Sequence, residues 1–161
     1  MAELLTPDIC IIGAGSGGLL VAAGASQLGA NVVLLERGKM GGDCLNCGCV
    51  PSKALIAAGK AAQTARKASL FGIAGLSPNI DFQSVHKHVH DVIASIAPND
   101  SIQRYEGLGV NVIQEEGHFV DPREVVAGNV RIRAKKFVVA SGSSPRVPPI
   151  EGINDVSYLT N

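Results

Sequence analysis

An α/β fold with a parallel sheet, flanking helices and a small antiparallel β-meander is predicted by three features of the chain. Short runs, Asp8-Ile9-Cys10-Ile11-Ile12-Gly13, apolar from Ile9 to Ile12, and Phe137-Val138-Val139-Ala140, apolar throughout, stand near its two ends. Strands covered on both faces by other layers read this way. The first run leads through a glycine-rich turn and a helical stretch to a second apolar run, the order of a βαβ unit. Between Val110 and Arg133 the pattern changes to short strands separated by turn residues.

The elements follow in order. Asp8 to Gly13 is a buried strand, and Ser16 to Leu28 a helix with Leu19, Leu20, Ala23 and Leu28 available to pack and Gly29 as its stop. Val32-Val33-Leu34-Leu35-Glu36 is the second buried strand, reached by a right-handed crossover. An alanine-rich helix runs from the cysteine segment to about Ser69, with Pro51 tolerable only in its first turn. Another covers Asp81 to Ile96; Pro98 breaks it, and Asn99-Asp100-Ser101 offers caps for a further short helix. Val110–Gln114, His118–Val120, Val125–Ala127 and Val130–Arg133 are short strands, with a turn at Ala127-Gly128-Asn129. Pro145 to Ile150 reads as extended, linker-like chain.

Composition narrows the function classes. At 161 residues the chain can bury one core. Its 14 basic and 14 acidic residues cancel, so no nucleic-acid or anionic-membrane partner is expected. The apolar run Ile9–Ala25 is interrupted by five glycines, is preceded by no Lys or Arg and has Asp8 at its edge. Neither a signal peptide nor a membrane span fits that pattern. With no export signal and three clustered cysteines, a reducing cytoplasmic setting is expected.

Gly13-Ala14-Gly15-Ser16-Gly17-Gly18 satisfies the dinucleotide fingerprint in its proper setting, after a strand and at a helix start. Gly13 permits the tight turn, Gly15 the approach of a pyrophosphate, and Gly18 close packing of helix on strand. The helix N-terminus then offers unpaired amides and its positive dipole end to the phosphates. Glu36 ends the second strand 18 residues past Gly18, where a carboxylate accepts from a ribose. The loop alone does not separate FAD from NAD.

Cys44, Cys47 and Cys49 follow in the run Gly41 to Lys53. Two thiols five positions apart at a helix start suit reversible disulfide formation, because a helix N-terminus and nearby cations favour the thiolate. Lys53 lies one helical turn after Cys49. Three other readings compete. A zinc or iron-sulfur site lacks a second CxxC or an HxxxH partner, and a thioredoxin-like Cys44/Cys47 pair sits oddly behind a nucleotide loop. Inert buried thiols are the third, which Cys10 within its strand fits.

Taken together, the fingerprint, Glu36 and Gly-Gly-Asp-Cys-Leu-Asn-Cys-Gly-Cys-Val-Pro-Ser-Lys resemble the N-terminal, Rossmann-like FAD domain of the pyridine nucleotide-disulfide oxidoreductases, nearest the mercuric reductase and dihydrolipoamide dehydrogenase branch. The resemblance implies electron transfer between NAD(P)H, FAD and a Cys44–Cys49 redox disulfide. Cys49 is then the flavin-side thiol, giving a charge-transfer absorbance when reduced, Cys44 the interchange thiol, and Lys53 a cation near the flavin ring. Flavin contacts are implied for Gly13, Gly15, Ser16, Gly18, Glu36, Gly42, Asp43, Cys44 and Lys53. Ala140-Ser141-Gly142-Ser143-Ser144-Pro145 is similar to the family's second flavin motif, with Ser141 where Thr is usual, and Gly117 and His118 match a stretch bordering the adenine. Cys47 replaces the usual apolar residue between the pair.

The same resemblance implies that residues 1–150 are the first segment of a discontinuous FAD domain, with 151–161 starting the linker to an NAD(P)H domain absent from this sequence. No second glycine fingerprint follows Gly18. A small disulfide or mercuric ion is the implied substrate, and a homodimer the implied assembly of a longer parent; the fragment alone is expected to turn over little. Two alternatives stand beside this: a non-catalytic FAD-binding fragment, and a Cys/His metal-binding protein. No metal ligands are assigned. His86 and His90 share a helix face at a spacing that can bind a metal ion, but without an accompanying carboxylate pattern a solvated face is the simpler reading. Glu115 and Glu116 receive no role.

Overall fold

The alternation of side chains along the first two buried strands decides the architecture. In the computed structural model, which describes residues 3–74 and 77–160, β2 (Ile9–Ile12) and β3 (Val32–Leu35) pair in parallel. They form the centre of a four-stranded sheet ordered β4 (Val110–Ile113), β3, β2, β8 (Lys136–Val139), all parallel. Ile11, Val32 and Leu34 point to one face, where they pack on Leu19 and Ala22 of α1 (Ser16–Gln27) and Tyr105 of α5 (Ile102–Gly107). Cys10, Val33 and Leu35 point to the other, against Val125, Ala127 and Ile132 of a second sheet. Both faces are covered, so every residue of β3 is buried.

That second sheet is the expected meander with an addition. β5 (Gly117–Asp121), β6 (Glu124–Ala127) and β7 (Val130–Ile132) are antiparallel. The unpredicted strand β1 (Glu3–Leu5) then pairs in parallel with β7. The turn at Gly128 adopts φ +58°, and a register irregularity falls between Phe119 and Asp121. The result is three layers: helices, parallel sheet, mixed sheet.

The cysteine segment forms its own short helix, α2 (Gly42–Asn46), before the long α3 (Cys49–Lys67), which packs along α4 (Phe82–Ile96). α3 tightens into a 3₁₀ turn over Ala68–Phe71 rather than continuing as α-helix to Ser69. Asp81, read from the sequence as the first helical residue, instead caps α4, accepting from the Gln83 N–H at 3.0 Å; Ser101 caps α5 through Arg104 N–H at 3.2 Å, within the capping segment the sequence predicts.

The packed face of α1 needs correcting. Leu19 and Ala22 are buried, whereas Leu20 and Leu28 are 75% and 89% exposed. The helix lies with its 19/22/26 ridge on the sheet, fixed there by Gly18 against β2 and by Tyr105, whose hydroxyl donates to the Leu19 carbonyl at 3.2 Å. That turns Leu20 and Leu28 outward. Residues 141–150, which include the predicted linker-like run Pro145 to Ile150, are exposed and belong to no helix or strand. Residues 1, 2 and 161, the ends of the two predicted segments, lie outside the described residues. Among the described residues no helix is long and apolar enough to cross a membrane.

Candidate functional site

Three chain segments leave the carboxyl ends of β2, β3 and β8 side by side, and the crevice between them is where open α/β sheets bind ligands. Gly13 follows β2 with φ +105°, its N–H donating to the Leu35 carbonyl at 2.8 Å. A Cβ there would stand 2.3 Å from the Ala140 carbonyl oxygen, so no side chain fits between the departing strands. At Gly18 a Cβ would lie 1.8 Å from the Gly13 carbonyl oxygen; only glycine lets α1 sit this close to β2.

The start of α1 is open. Gly15 occupies its N-cap in extended conformation and no side chain accepts from the first-turn amides. Those amides, Ser16 among their residues, are free to receive an anion. Glu36, just past β3, accepts from Ala14 N–H at 2.7 Å through Oε2 and from Gly38 N–H at 2.7 Å through Oε1. An ionised carboxylate has about four acceptor sites, so two remain for a vicinal diol. Gly13, Glu36 and Ser141 to Ser144 are shared by two adjoining clefts of ≈ 500 and ≈ 370 Å³; Gly117 lines the larger, Gly15, Gly42 and Asp43 the smaller. The residues present therefore fit a dinucleotide: a glycine cradle for the diphosphate, a carboxylate for the ribose, and an elongated crevice.

The cysteine segment is tied to this crevice through backbone alone. Gly41 and Gly42 are both left-handed, at φ +87° and +56°. Gly41 N–H donates to the Ala14 carbonyl at 2.9 Å, and a Cβ on Gly42 would approach Gly15 Cα to 2.6 Å. Asn46 holds the turn, its amide donating to the carbonyls of Met40 at 3.0 Å and Gly42 at 2.8 Å. The N–H groups of Cys47 and Gly48 both donate to the Asp43 carbonyl, at 2.9 and 2.7 Å, which ends α2 and lets α3 begin at Cys49.

That reversal brings Cys44 against Cys49. A side-chain hydrogen bond with Cys49, then burial, then the Cys49 charge push the Cys44 thiol above its ordinary pKa; the Cys49 N–H and the Lys53 charge oppose them. Cys44 is half-buried, Cys49 exposed, and both are free thiols. Lys53 is exposed on α3 one turn after Cys49. Cys10, by contrast, is fully buried and pushed up to about 12 by desolvation. Cys47 is exposed at the α2–α3 junction. Among the described residues no three His, Cys, Asp or Glu side chains are grouped to hold a metal ion.

Residues 7–161 match the family described as pyridine nucleotide-disulphide oxidoreductase. The chain belongs to that family. It is 33% identical over 154 residues to a mercuric reductase of Staphylococcus aureus and 36% identical over 160 residues to one of Streptomyces lividans. Each alignment covers 96% of this chain but only 28% and 34% of the relative. A dihydrolipoyl dehydrogenase of Acholeplasma laidlawii is 32% identical across 92% of this chain and 44% of its own. The chain thus spans between 28% and 44% of the length of these curated relatives. Among solved structures, the Cu(II) complex of the HOCl-induced flavoprotein disulfide reductase RclA from Escherichia coli superposes with a TM-score of 0.72, covering 91% of this chain and 30% of that one at 24% identity. That likeness establishes the fold, a Rossmann-like α/β arrangement.

Within this family member, eight of the residues predicted to bind cofactor line the two clefts: Gly13, Gly15, Glu36, Gly42, Asp43, Gly117, Ser141 and Gly142. Ser16 and Gly18 lie just behind on α1, while Cys44, Cys49 and Lys53 stand beyond the smaller cleft on α2 and α3. His118 is not among the residues lining either cleft; it follows Gly117 in β5, and its exposed ring has Nε2 3.9 Å from Glu116 Oε2. Sequence reasoning missed Arg37, which donates to Glu116 at 2.8 Å across the mouth of the larger cleft, and Glu115 beside it. A pattern of charges on separate segments carries no signal until the strands are aligned.

Proposed function

We propose that residues 1–150 form the first segment of the FAD domain of a flavin-dependent NAD(P)H:disulfide or mercuric ion oxidoreductase, and that 151–161 begin the connection to its NAD(P)H domain. The observation that carries this is the junction of the two motifs: a glycine-to-glycine backbone contact, Gly42 on Gly15, holds a facing pair of thiols beside a dinucleotide-shaped crevice. Gly13 and Gly15 with the open first turn of α1 receive the diphosphate, Glu36 a ribose, and Gly117 with Arg37 flank the adenine end. Bound FAD supplies a two-electron carrier at the α2–α3 end of the crevice.

The chain's own residues then define the remaining chemistry. Two electrons and two protons convert a Cys44–Cys49 disulfide to two thiols. Cys49, at the α3 N-terminus, is the thiol nearest the carrier, with Lys53 one helical turn after it. Cys44, with its raised pKa, keeps its proton until a substrate disulfide or soft metal ion draws it off. The parent is a cytoplasmic homodimer in this reading, and mercuric ion and small disulfides are its substrate classes; the mercuric reductase relatives favour the former.

The test is anaerobic reduction of the full chain reconstituted with FAD. A long-wavelength thiolate-to-flavin absorbance is expected in the wild type and in Cys44→Ser, and lost in Cys49→Ser. A spectrum indifferent to Cys49, or failure of FAD to quench on titration, overturns the assignment; in the second case the chain is at most a non-catalytic fragment.

A further inference from the structure

Away from the crevice, α4 carries three histidines that the flavin chemistry does not use. Its inner flank is made of Val85, Val89, Val92 and Ile96, all half-buried. At 3.6 residues per turn, His86 and His90 fall on one outer flank and His88 about 180° round from them. The rings of His86 and His90 meet edge to face with centroids 4.5 Å apart, and their Nε2 atoms are 3.3 Å apart.

We propose that His86 and His90 form a two-nitrogen site for zinc or a similar borderline divalent cation. Imidazole nitrogens bind zinc at about 2.0–2.1 Å, and two such bonds at the tetrahedral angle set the nitrogens about 3.3–3.4 Å apart. The Nε2 pair already has that separation, and the hydrogen bond between the two rings gives way to two bonds to the metal ion. Both rings are exposed on a helix whose backbone bonds fix the i, i+4 spacing. The adjacent carboxylate, Asp91, is engaged by Lys87 at 2.7 Å. With no third protein ligand among the described residues, the other two positions belong to water, and the site is open to a further ligand. This inference is independent of the flavin reading.

The experiment is a calorimetric titration of zinc chloride into the full chain, before and after its accessible thiols are blocked with iodoacetamide, because Cys44, Cys47 and Cys49 also attract zinc. One equivalent is expected to bind the thiol-blocked wild type and His88→Ala alike. His86→Ala and His90→Ala each lose at least ~10-fold in affinity, the loss that even an outer-shell partner commonly causes. Zinc also raises the melting temperature of the first two proteins and not of the last two, since it ties successive turns of α4 together. Equal affinity in all four proteins, or no saturable binding by the thiol-blocked wild type, overturns the proposal.

Discussion

Replacing Gly42 by alanine probes the contact on which the site depends. The residue sits at φ +56°, where an L side chain costs about 1–2 kcal/mol. Its new Cβ would stand 2.6 Å from Gly15 Cα, against a comfortable carbon–carbon approach of about 3.5–4.0 Å. Relieving that overlap moves the cysteine segment about 1 Å from the glycine loop, and overpacking of this kind costs about 1–3 kcal/mol. The sum is about 2–5 kcal/mol of stability, together with a displaced Cys44–Cys49 pair; a misplacement of about 1 Å can lower turnover by about 100-fold. Urea unfolding measures the first and quenching of FAD fluorescence the effect on the crevice. The same chemical change at Gly59, in the interior of α3 with nothing within 4 Å of its Cβ, is the control. It is expected to stabilise by about 0.5–1 kcal/mol and leave FAD binding alone. If Gly42→Ala unfolds with the wild-type midpoint and quenches FAD equally, the backbone junction does not hold the site.

Three further outcomes follow from protonation. Because the Cys10 thiol is raised from 9.0 to about 12 in the fold, the unfolded chain ionises first as pH rises and stability falls across that window, by up to about 1.4 kcal/mol per pH unit. Urea midpoints measured from pH 8 to 11 should show a shallower alkaline loss in Cys10→Ala than in the wild type; parallel curves contradict the burial argument. Glu124 is buried, and bonds from Arg131 and then Arg133 hold its carboxyl below the usual range. Glu124→Gln therefore destabilises above the ordinary carboxyl pKa, and its deficit shrinks as pH falls through the lowered folded value, which acid titration of thermal stability reads out. Removing the dominant cause of the raised Cys44 pKa, in Cys49→Ala, should speed alkylation of Cys44 near neutral pH, scored peptide by peptide by mass spectrometry; an unchanged rate means the thiols do not meet.

The central βαβ unit was legible because its glycines, strand composition and Glu36 are local and periodic, and the structure extends it as expected. The cap at Ser101 was legible for the same reason: it is satisfied within three residues of itself. What escaped is non-local. β1 has only three residues and no pattern of its own, and it exists because β7 offers an unpaired edge. α2 was read as the start of the long helix, since nothing in a run of Gly, Asp and Cys announces that Gly48 will break it. Glu124 looks like an ordinary turn-side acid until Arg131 and Arg133 of the next hairpin arm close over it. The nearness of Cys44 to Cys49 was readable from family resemblance, whereas its physical cause, the Asp43 carbonyl capturing two successive amides, was not.

The pairing of Glu3–Leu5 with Val130–Ile132 has a bearing on how the polypeptide is made. Val130–Ile132 is made about 6–25 s after Glu3–Leu5 at ordinary translation speeds of about 5–20 residues per second. Through that interval Glu3–Leu5 has no edge to join, and a bulky fusion placed ahead of it competes for the space beside β7. For this 161-residue chain, an affinity tag placed after Asn161 should give a higher soluble yield than one placed before Met1.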